Sequence, residues 1–258
     1  MILDDILTAK RAEVTAHAAC RTRADLHRLP LYAEPRRGFL HAIRNSSSPC
    51  VIAEIKRASP SRGIIRVDFE PARHATDYER AGATCVSVLT DERYFGGSLD
   101  DLVAVRSVCR LPLLRKDFLI DAYQVVESRA YGADAVLLIA AVLDAVQFGD
   151  LLAAAKVENL DALVEVHDER ELAMALERGV DLIGINNRDL RTLVTTIETS
   201  RRLISLMPPT VTAIAESGLY ERSQLDELEG RGIRGFLIGE ALMASPDPGK
   251  ALAALLRS

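Results

Sequence analysis

The chain has 258 residues, 48% of them apolar and none tryptophan, with a formal net charge of −5. That length and apolar content suit one large core in a single domain over 1–258. The negative balance, with no basic run and no basic stripe interleaved with aromatics, argues against a nucleic-acid partner. No apolar run approaches the ~20 residues of a membrane helix, and Asp4 and Asp5 speak against a signal peptide or anchor. Four cysteines, Cys20, Cys50, Cys85 and Cys109, show no CxxC spacing and read as reduced, buried thiols of a cytoplasmic protein. The five histidines form no HxxxH or mixed Cys/His cluster, so no metal is expected.

In chain order, the first element is a helix over 2–19, with Ile2, Ile6, Ala9 and Val14 apolar and charges between. A connection containing Pro, Arg and Ser follows, ending at Ser46-Ser47-Ser48-Pro49, so that 1–49 reads as an N-terminal helical extension. Such an extension either lies over one mouth of the domain as part of a site or plugs the opposite end; the sequence leaves both open. From 50 onward, apolar, β-branched runs alternate with amphipathic stretches. Strands are predicted over 51–56, 84–89, 111–116, 135–139, 162–166, 182–185, 211–215 and 235–238, with helices such as 71–81, 122–131, 144–158 and 169–177 between them. Gly82, Gly132, Gly179 and Gly232 stand where a glycine ends a helix. Strands without polar alternation are covered on both faces. Eight strand–helix units in a row predict an α/β fold, a (β/α)8 TIM barrel over 50–258, rather than an open sheet, since no GxGxxG follows the first strand.

Each strand run ends on a charged or polar residue, and a parallel barrel delivers its chemistry from the carboxyl ends of its strands. Arg outnumbers Lys 27 to 5, so this sequence places Arg wherever a surface cation serves; yet Lys56 and Lys116 both fall at strand ends. Lysine, unlike arginine, has a pKa that burial and neighbours can move, so it can give up a proton. One such lysine is readily a rim charge reaching water; two in register point to chemistry. Glu54 precedes Lys56 by two residues and shares its side of the strand, as Glu165 does with His167. Other strands end in Thr90-Asp91, Asn186-Asn187-Arg188-Asp189, Glu216-Ser217-Gly218 and Gly239-Glu240. Inward carboxylates at 54, 165 and 216 are costly unless paired, and the two lysines supply partners. The charges form either a self-neutralising ring or an acid–base site. Three carboxylates, two ammonium groups and Arg188 exceed what neutralisation needs, which favours the site. Gly218 and Gly239 sit where loops after the last two strands of a barrel cradle phosphate through backbone N–H groups, with Ser59 closing from the first loop. Read blandly, they are ordinary turn glycines.

Together these residues resemble the indole-3-glycerol-phosphate synthases of tryptophan biosynthesis. The phrases that carry the likeness are Ile52-Ala53-Glu54-Ile55-Lys56-Arg57-Ala58-Ser59-Pro60-Ser61, Thr90-Asp91-Glu92-Arg93-Tyr94-Phe95, Leu114-Arg115-Lys116-Asp117-Phe118, Gly184-Ile185-Asn186-Asn187-Arg188-Asp189-Leu190 and Ala215-Glu216-Ser217-Gly218. The resemblance implies ring closure of 1-(2-carboxyphenylamino)-1-deoxy-D-ribulose 5-phosphate with loss of CO2 and water, and no metal or organic cofactor. It implies Lys116 as the first acid and Glu165 with Lys56 as the base and acid of the dehydration. Glu54 would orient Lys56, while Asn186, Glu216 and Ser217 hold hydroxyls and the charge network. Arg188 would pair with the substrate carboxylate, Phe95, Phe118, Leu137 and Leu190 would line the slot for the aromatic ring, and Ser59, Gly218 and Gly239 would take the phosphate. Glu240 stands where some members have Ser or Thr, so only its backbone N–H is expected on the phosphate. The partner so implied is a small phosphorylated molecule, met by a monomer or weak homodimer in transient contact with other tryptophan-pathway enzymes. Three rivals stay open: a sugar-phosphate isomerase on the same barrel, a Schiff-base aldolase using either lysine, and an inactive barrel serving as a binding partner.

Overall fold

Eight parallel strands carry the architecture: β1 (Cys50–Ile55), β2 (Cys85–Leu89), β3 (Leu113–Lys116), β4 (Ala135–Ile139), β5 (Asp161–Val166), β6 (Leu182–Asn186), β7 (Thr212–Glu216) and β8 (Gly235–Ile238). In the computed structural model, which describes residues 2–46 and 49–257, they close in the order β1-β8-β7-β6-β5-β4-β3-β2. This is the expected (β/α)8 barrel. Ile52 of β1 pairs with Leu237 of β8 on one side and Cys85 of β2 on the other, so closure leaves no free edge. The predicted strands are met to within two residues. β3 begins only at Leu113, past Pro112, which has no N–H to give a ladder. β1 stops at Ile55, one residue before Lys56. Helices stand at Pro71–Ala81 and Glu169–Glu177 as predicted, and at Ala122–Ala130 and Ala145–Val157, each slightly shorter because the flanking residues act as caps.

Strand alternation divides the apolar residues between two cores. Val51, Ala53 and Ile55 of β1, with Val86 and Val88 of β2, face the surrounding helices and pack with Tyr78, Leu102 and Phe148. Ile52, Cys85, Leu114, Leu137, Leu163, Ile214 and Leu237 fill the barrel interior. Carried on to the carboxyl ends of the strands, the inward parity arrives at Glu54, Lys56, Lys116, Glu165, Asn186, Glu216 and Gly239. The pleat that builds the inner core therefore also aims these side chains at one mouth.

The N-terminal segment does both of the things its sequence left open. Helix α1 (Ile2–Cys20) lies at the carboxyl mouth, where Ile2, Leu3 and Ile6 border the central cavity. The short helix α2 (Arg23–Leu26) then runs down the side of the barrel, packing Leu26 with Tyr123, Val126 and Ala130. Helix α3 (Phe39–Asn45) closes the opposite end: Phe39 and Ile43 enter the inner core. The Leu40 N–H donates to Asp161 at the start of β5 (2.9 Å), and Arg44 donates to Thr212 at the start of β7 (3.0 Å). Ser47 and Ser48 of the predicted connection lie outside the described residues. One cysteine departs from expectation. Cys50, Cys85 and Cys109 are buried, but Cys20 is exposed, because the last turn of α1 faces solvent.

Candidate active site

The inward charges assemble in two neighbouring groups. Lys116, at the end of β3, places Nζ 2.7 Å from Glu216 Oε2 on β7 and 3.3 Å from Glu165 Oε2 on β5. Asn186 of β6 donates Nδ2–H to Glu165 Oε1 (3.1 Å), and its own Oδ1 accepts the Arg188 N–H (3.0 Å). On the other side, Lys56 Nζ lies 2.7 Å from Glu54 Oε1. The three carboxylates are buried, whereas both lysines keep a path to the cavity, with side chains 16% and 14% exposed. Removing charges from water on this scale costs several kcal/mol per ion unless each finds a partner, and here every carboxylate does.

Two glycines make that packing possible. A Cβ at Gly184, inward on β6, would stand 2.1 Å from Glu216 Oε1, and one at Gly239 would stand 2.1 Å from Glu54 Oε1. Gly239 therefore has a role beyond any phosphate loop, since it leaves room for the carboxylate that holds Lys56.

Protonation follows from this geometry. Burial works against the Lys116 ammonium, but the charges of Glu216 and Glu165 outweigh it and hold its pKa above the ordinary lysine value. For Glu165, burial alone would favour the neutral acid. Lys116, His167 and Asn186 reverse that and hold its carboxyl well below the usual range. Glu216 goes the other way: burial and the like charge of Glu165 overcome the attraction of Lys116 and push it up to about 7. The mouth thus contains an ammonium, a firmly ionised carboxylate and a second carboxylate that takes up a proton more readily.

Around this polar floor stand an apolar wall and a polar rim. Phe95, carried on the short helix Glu92–Phe95, and Phe118, just after β3, have ring centroids 6.2 Å apart; Leu137 and Leu190 border the same cavity. Ser217 and Gly218, after β7, both adopt left-handed backbone (φ 65° and 72°), a pairing that turns the chain sharply at the cavity edge. Asn187 fixes this turn by donating to the Ser217 carbonyl (3.1 Å). On the rim, Glu240 accepts from Arg62, Tyr220 and Arg188, and Arg188 also donates to Ser61 Oγ (2.7 Å).

Every site residue expected from the sequence borders this one cavity: Glu54, Lys56, Ser59, Phe95, Lys116, Phe118, Leu137, Glu165, Asn186, Arg188, Leu190, Glu216, Ser217, Gly218, Gly239 and Glu240. Three participants were missed. His167 was seen two residues from Glu165 but given no role; its Nε2 lies 3.2 Å from Glu165 Oε1 and its Nδ1 3.0 Å from Glu171 Oε2. Lys10 of α1 is buried and reaches Asp117 (2.8 Å) and Asp91 (3.0 Å). Arg62, in the loop after β1, ties that loop to Glu240. His167 left a trace in the sequence through its two-residue spacing, and Arg62 through its place in the polar loop 58–63 after the first strand, but nothing local marks Lys10.

Fold and mouth together define a parallel-barrel enzyme that gathers lysines and glutamates around one cavity at the carboxyl ends of its strands. Over residues 3–255 the chain matches the family model described as indole-3-glycerol phosphate synthase. It is 47% identical over 260 residues to the indole-3-glycerol phosphate synthase of Albidiferax ferrireducens, covering 98% of this chain and 97% of that one. It is 46% identical over 255 residues to that of Burkholderia vietnamiensis, with the same coverage. Among solved structures, KGPDC from Streptococcus mutans (TM-score 0.59, 14% identity, covering 80% of this chain and 95% of that one) and thiamine phosphate pyrophosphorylase from Pyrococcus furiosus (TM-score 0.57, 18% identity, 80% and 93%) share the fold. The chain belongs to the indole-3-glycerol phosphate synthase family, the carboxy-lyases of tryptophan biosynthesis.

Proposed function

We propose that this mouth cyclises 1-(2-carboxyphenylamino)-1-deoxy-D-ribulose 5-phosphate by lysine and glutamate acid–base catalysis. The observation that carries the reading is the position of Lys116, held between Glu165 and Glu216 and open to the cavity that Lys56 also enters. When the ring carbon bearing the carboxylate attacks the ribulose carbonyl, the oxygen gains negative charge. An ammonium at that point stabilises it and supplies a proton, and an alkoxide is a stronger base than any amine, so the raised pKa of Lys116 does not prevent transfer. Loss of CO2 returns the electron pair to the ring. Glu165, ionised and 3.3 Å from Lys116, then takes a proton as Lys56 gives one to the departing hydroxyl.

The proton count closes: two protons leave the lysines and one is gained by Glu165, so each turnover draws one from solvent as the substrate carboxylate becomes CO2. Arg188 takes the substrate carboxylate with its planar fork, Phe95, Phe118, Leu137 and Leu190 hold the aromatic ring, and the turns at Ser59, Gly218 and Gly239 receive the phosphate. The Schiff-base rival needs a neutral amine, which the two carboxylates around Lys116 disfavour.

The test is turnover, followed by indole fluorescence without added metal or nucleotide. Lys116→Ala is expected to lower kcat by about two to four orders of magnitude, the range for losing a general acid, with substrate affinity much closer to normal. Near-normal turnover would remove Lys116 from the chemistry, and a borohydride-trapped adduct on either lysine would replace acid catalysis by a covalent route.

A further inference from the structure

Three loops meet on the carboxylate of Glu240. Its Oε1 accepts from Arg62 Nη2 (2.6 Å), Arg62 Nε (2.9 Å) and the Tyr220 hydroxyl (3.1 Å), and its Oε2 accepts from Arg188 Nη2 (3.2 Å). The other arm of Arg188, Nη1, donates to Ser61. Glu240 and Arg188 are the sheltered members, with side chains 13% and 22% exposed, against 62% for Arg62.

A half-buried guanidinium at the cavity edge is stabilised by an anion beside it. Glu240 supplies one; its carboxyl stays below the usual range because hydrogen bonds and charge from Arg62 outweigh burial. The substrate brings a carboxylate of its own, and the product does not, because that group departs as CO2.

We propose that Glu240 is a resident stand-in for the substrate carboxylate: it yields Arg188 when substrate binds and reclaims it once that carboxylate has left. The inference rests on the reading of Arg188 as the carboxylate clamp. The exchange makes and breaks only ion pairs. It is mild on the Glu240 side, since Oε1 keeps Arg62 and Tyr220 when Oε2 releases Arg188. It also distinguishes the two ends of the reaction. Substrate must displace Glu240 and pays for that in affinity, whereas product leaves the Glu240–Arg188 pair intact and is not held by it. Glu240 is thereby a specificity-determining side chain, one that weakens a carboxylate-bearing ligand relative to its decarboxylated product.

The test compares two ligands by calorimetry on the whole protein: the borohydride-reduced substrate, which keeps carboxylate and phosphate but cannot cyclise, and indole-3-glycerol phosphate. Glu240→Gln keeps the shape and removes the charge. It is expected to tighten the reduced substrate by roughly three- to tenfold, the scale of one partly exposed ion pair, and to move the product by less than about twofold. Equal tightening of both ligands would mean that Glu240 merely repels phosphate, and no change in either would make it a structural tie; each result overturns the proposal. Arg188→Ala separates this from the underlying reading. If that variant binds the reduced substrate as tightly as before, the clamp is wrong and the exchange falls with it. If it loses the reduced substrate selectively while Glu240→Gln shifts both ligands alike, the clamp stands and the exchange alone fails.

Discussion

Glu165 is held ionised from three directions, by the Lys116 ammonium, the Asn186 amide and the His167 ring. The last of these is itself held by Glu171, which accepts from both the His167 backbone N–H (2.8 Å) and the ring Nδ1 (3.0 Å). Burial would discharge the imidazole, but the charges of Glu165 and Glu171 and the hydrogen bond to Glu171 outweigh it and push its pKa from 6.5 up to about 10. The folded protein therefore keeps a proton that the unfolded chain releases, and the stability this adds is complete below about pH 6.5 and lost as pH rises through about 10. His167→Gln should thus lower the denaturation midpoint most near pH 6 and progressively less toward pH 10. A penalty of equal size at both ends of that range would show that His167 acts by packing, not as an imidazolium. At this scale the sequence was most legible. Two-residue spacing places Glu54 with Lys56 and Glu165 with His167 on the inward side, and strand ends in a barrel are where inward polar residues collect. What it could not convey was which distant partner each charge would find: Arg62 with Glu240, or Lys116 with both Glu165 and Glu216.

Among the elements, α1 shows most clearly where such reading stops. Its apolar residues predict a helix that must pack on something, but the side chain that decides where is a lysine. Lys10 Nζ lies 2.8 Å from Asp117 Oδ1, 3.0 Å from Asp91 Oδ2 and 2.8 Å from Glu13, with the side chain 1% exposed. Asp117 is in turn bound to Arg115 (3.0 Å) and to the Thr90 hydroxyl (2.6 Å), and it sits between Lys116 and Phe118. Its carboxyl lies well below the usual range because Arg115 and Lys10 outweigh burial. Helix α1 is therefore bolted to the loops after β2 and β3, one residue from the proposed acid, through carboxylates far along the chain that no local pattern links to Lys10. Lys10→Met would leave Asp91 and Asp117 facing a methyl group in a dry setting. The cost expected for orphaning buried charge is about 3–5 kcal/mol, with kcat reduced as well because the bolt also steadies the segment that carries Lys116. If kcat per folded molecule were unchanged while stability fell, α1 would be a cover with no hold on the site.

At the scale of the whole molecule, the two ends of the barrel divide stability from chemistry. The carboxyl end gathers the buried carboxylates of Glu54, Glu165 and Glu216, which cost folding energy, whereas the amino end is closed by α3 with apolar contacts, hydrogen bonds and the Arg44–Asp181 ion pair. Ile43 of α3 is fully buried in the inner core together with Phe39, Ile52 and Ile214. It stands at the far end of the inner core from Lys116 and Glu165, with layers such as Leu114, Leu163 and Leu237 between. Ile43→Ala is expected to destabilise the protein by about 2–5 kcal/mol through lost burial and the cavity left behind. Turnover per folded molecule should stay within about twofold, because close-packed aliphatic layers between the two ends leave the charged floor in place. Denaturant unfolding and kcat measured on the same preparation decide the matter. A loss of turnover in step with the loss of stability would mean that the plug and the mouth are one mechanical unit, and that the extension serves the chemistry from both of its ends.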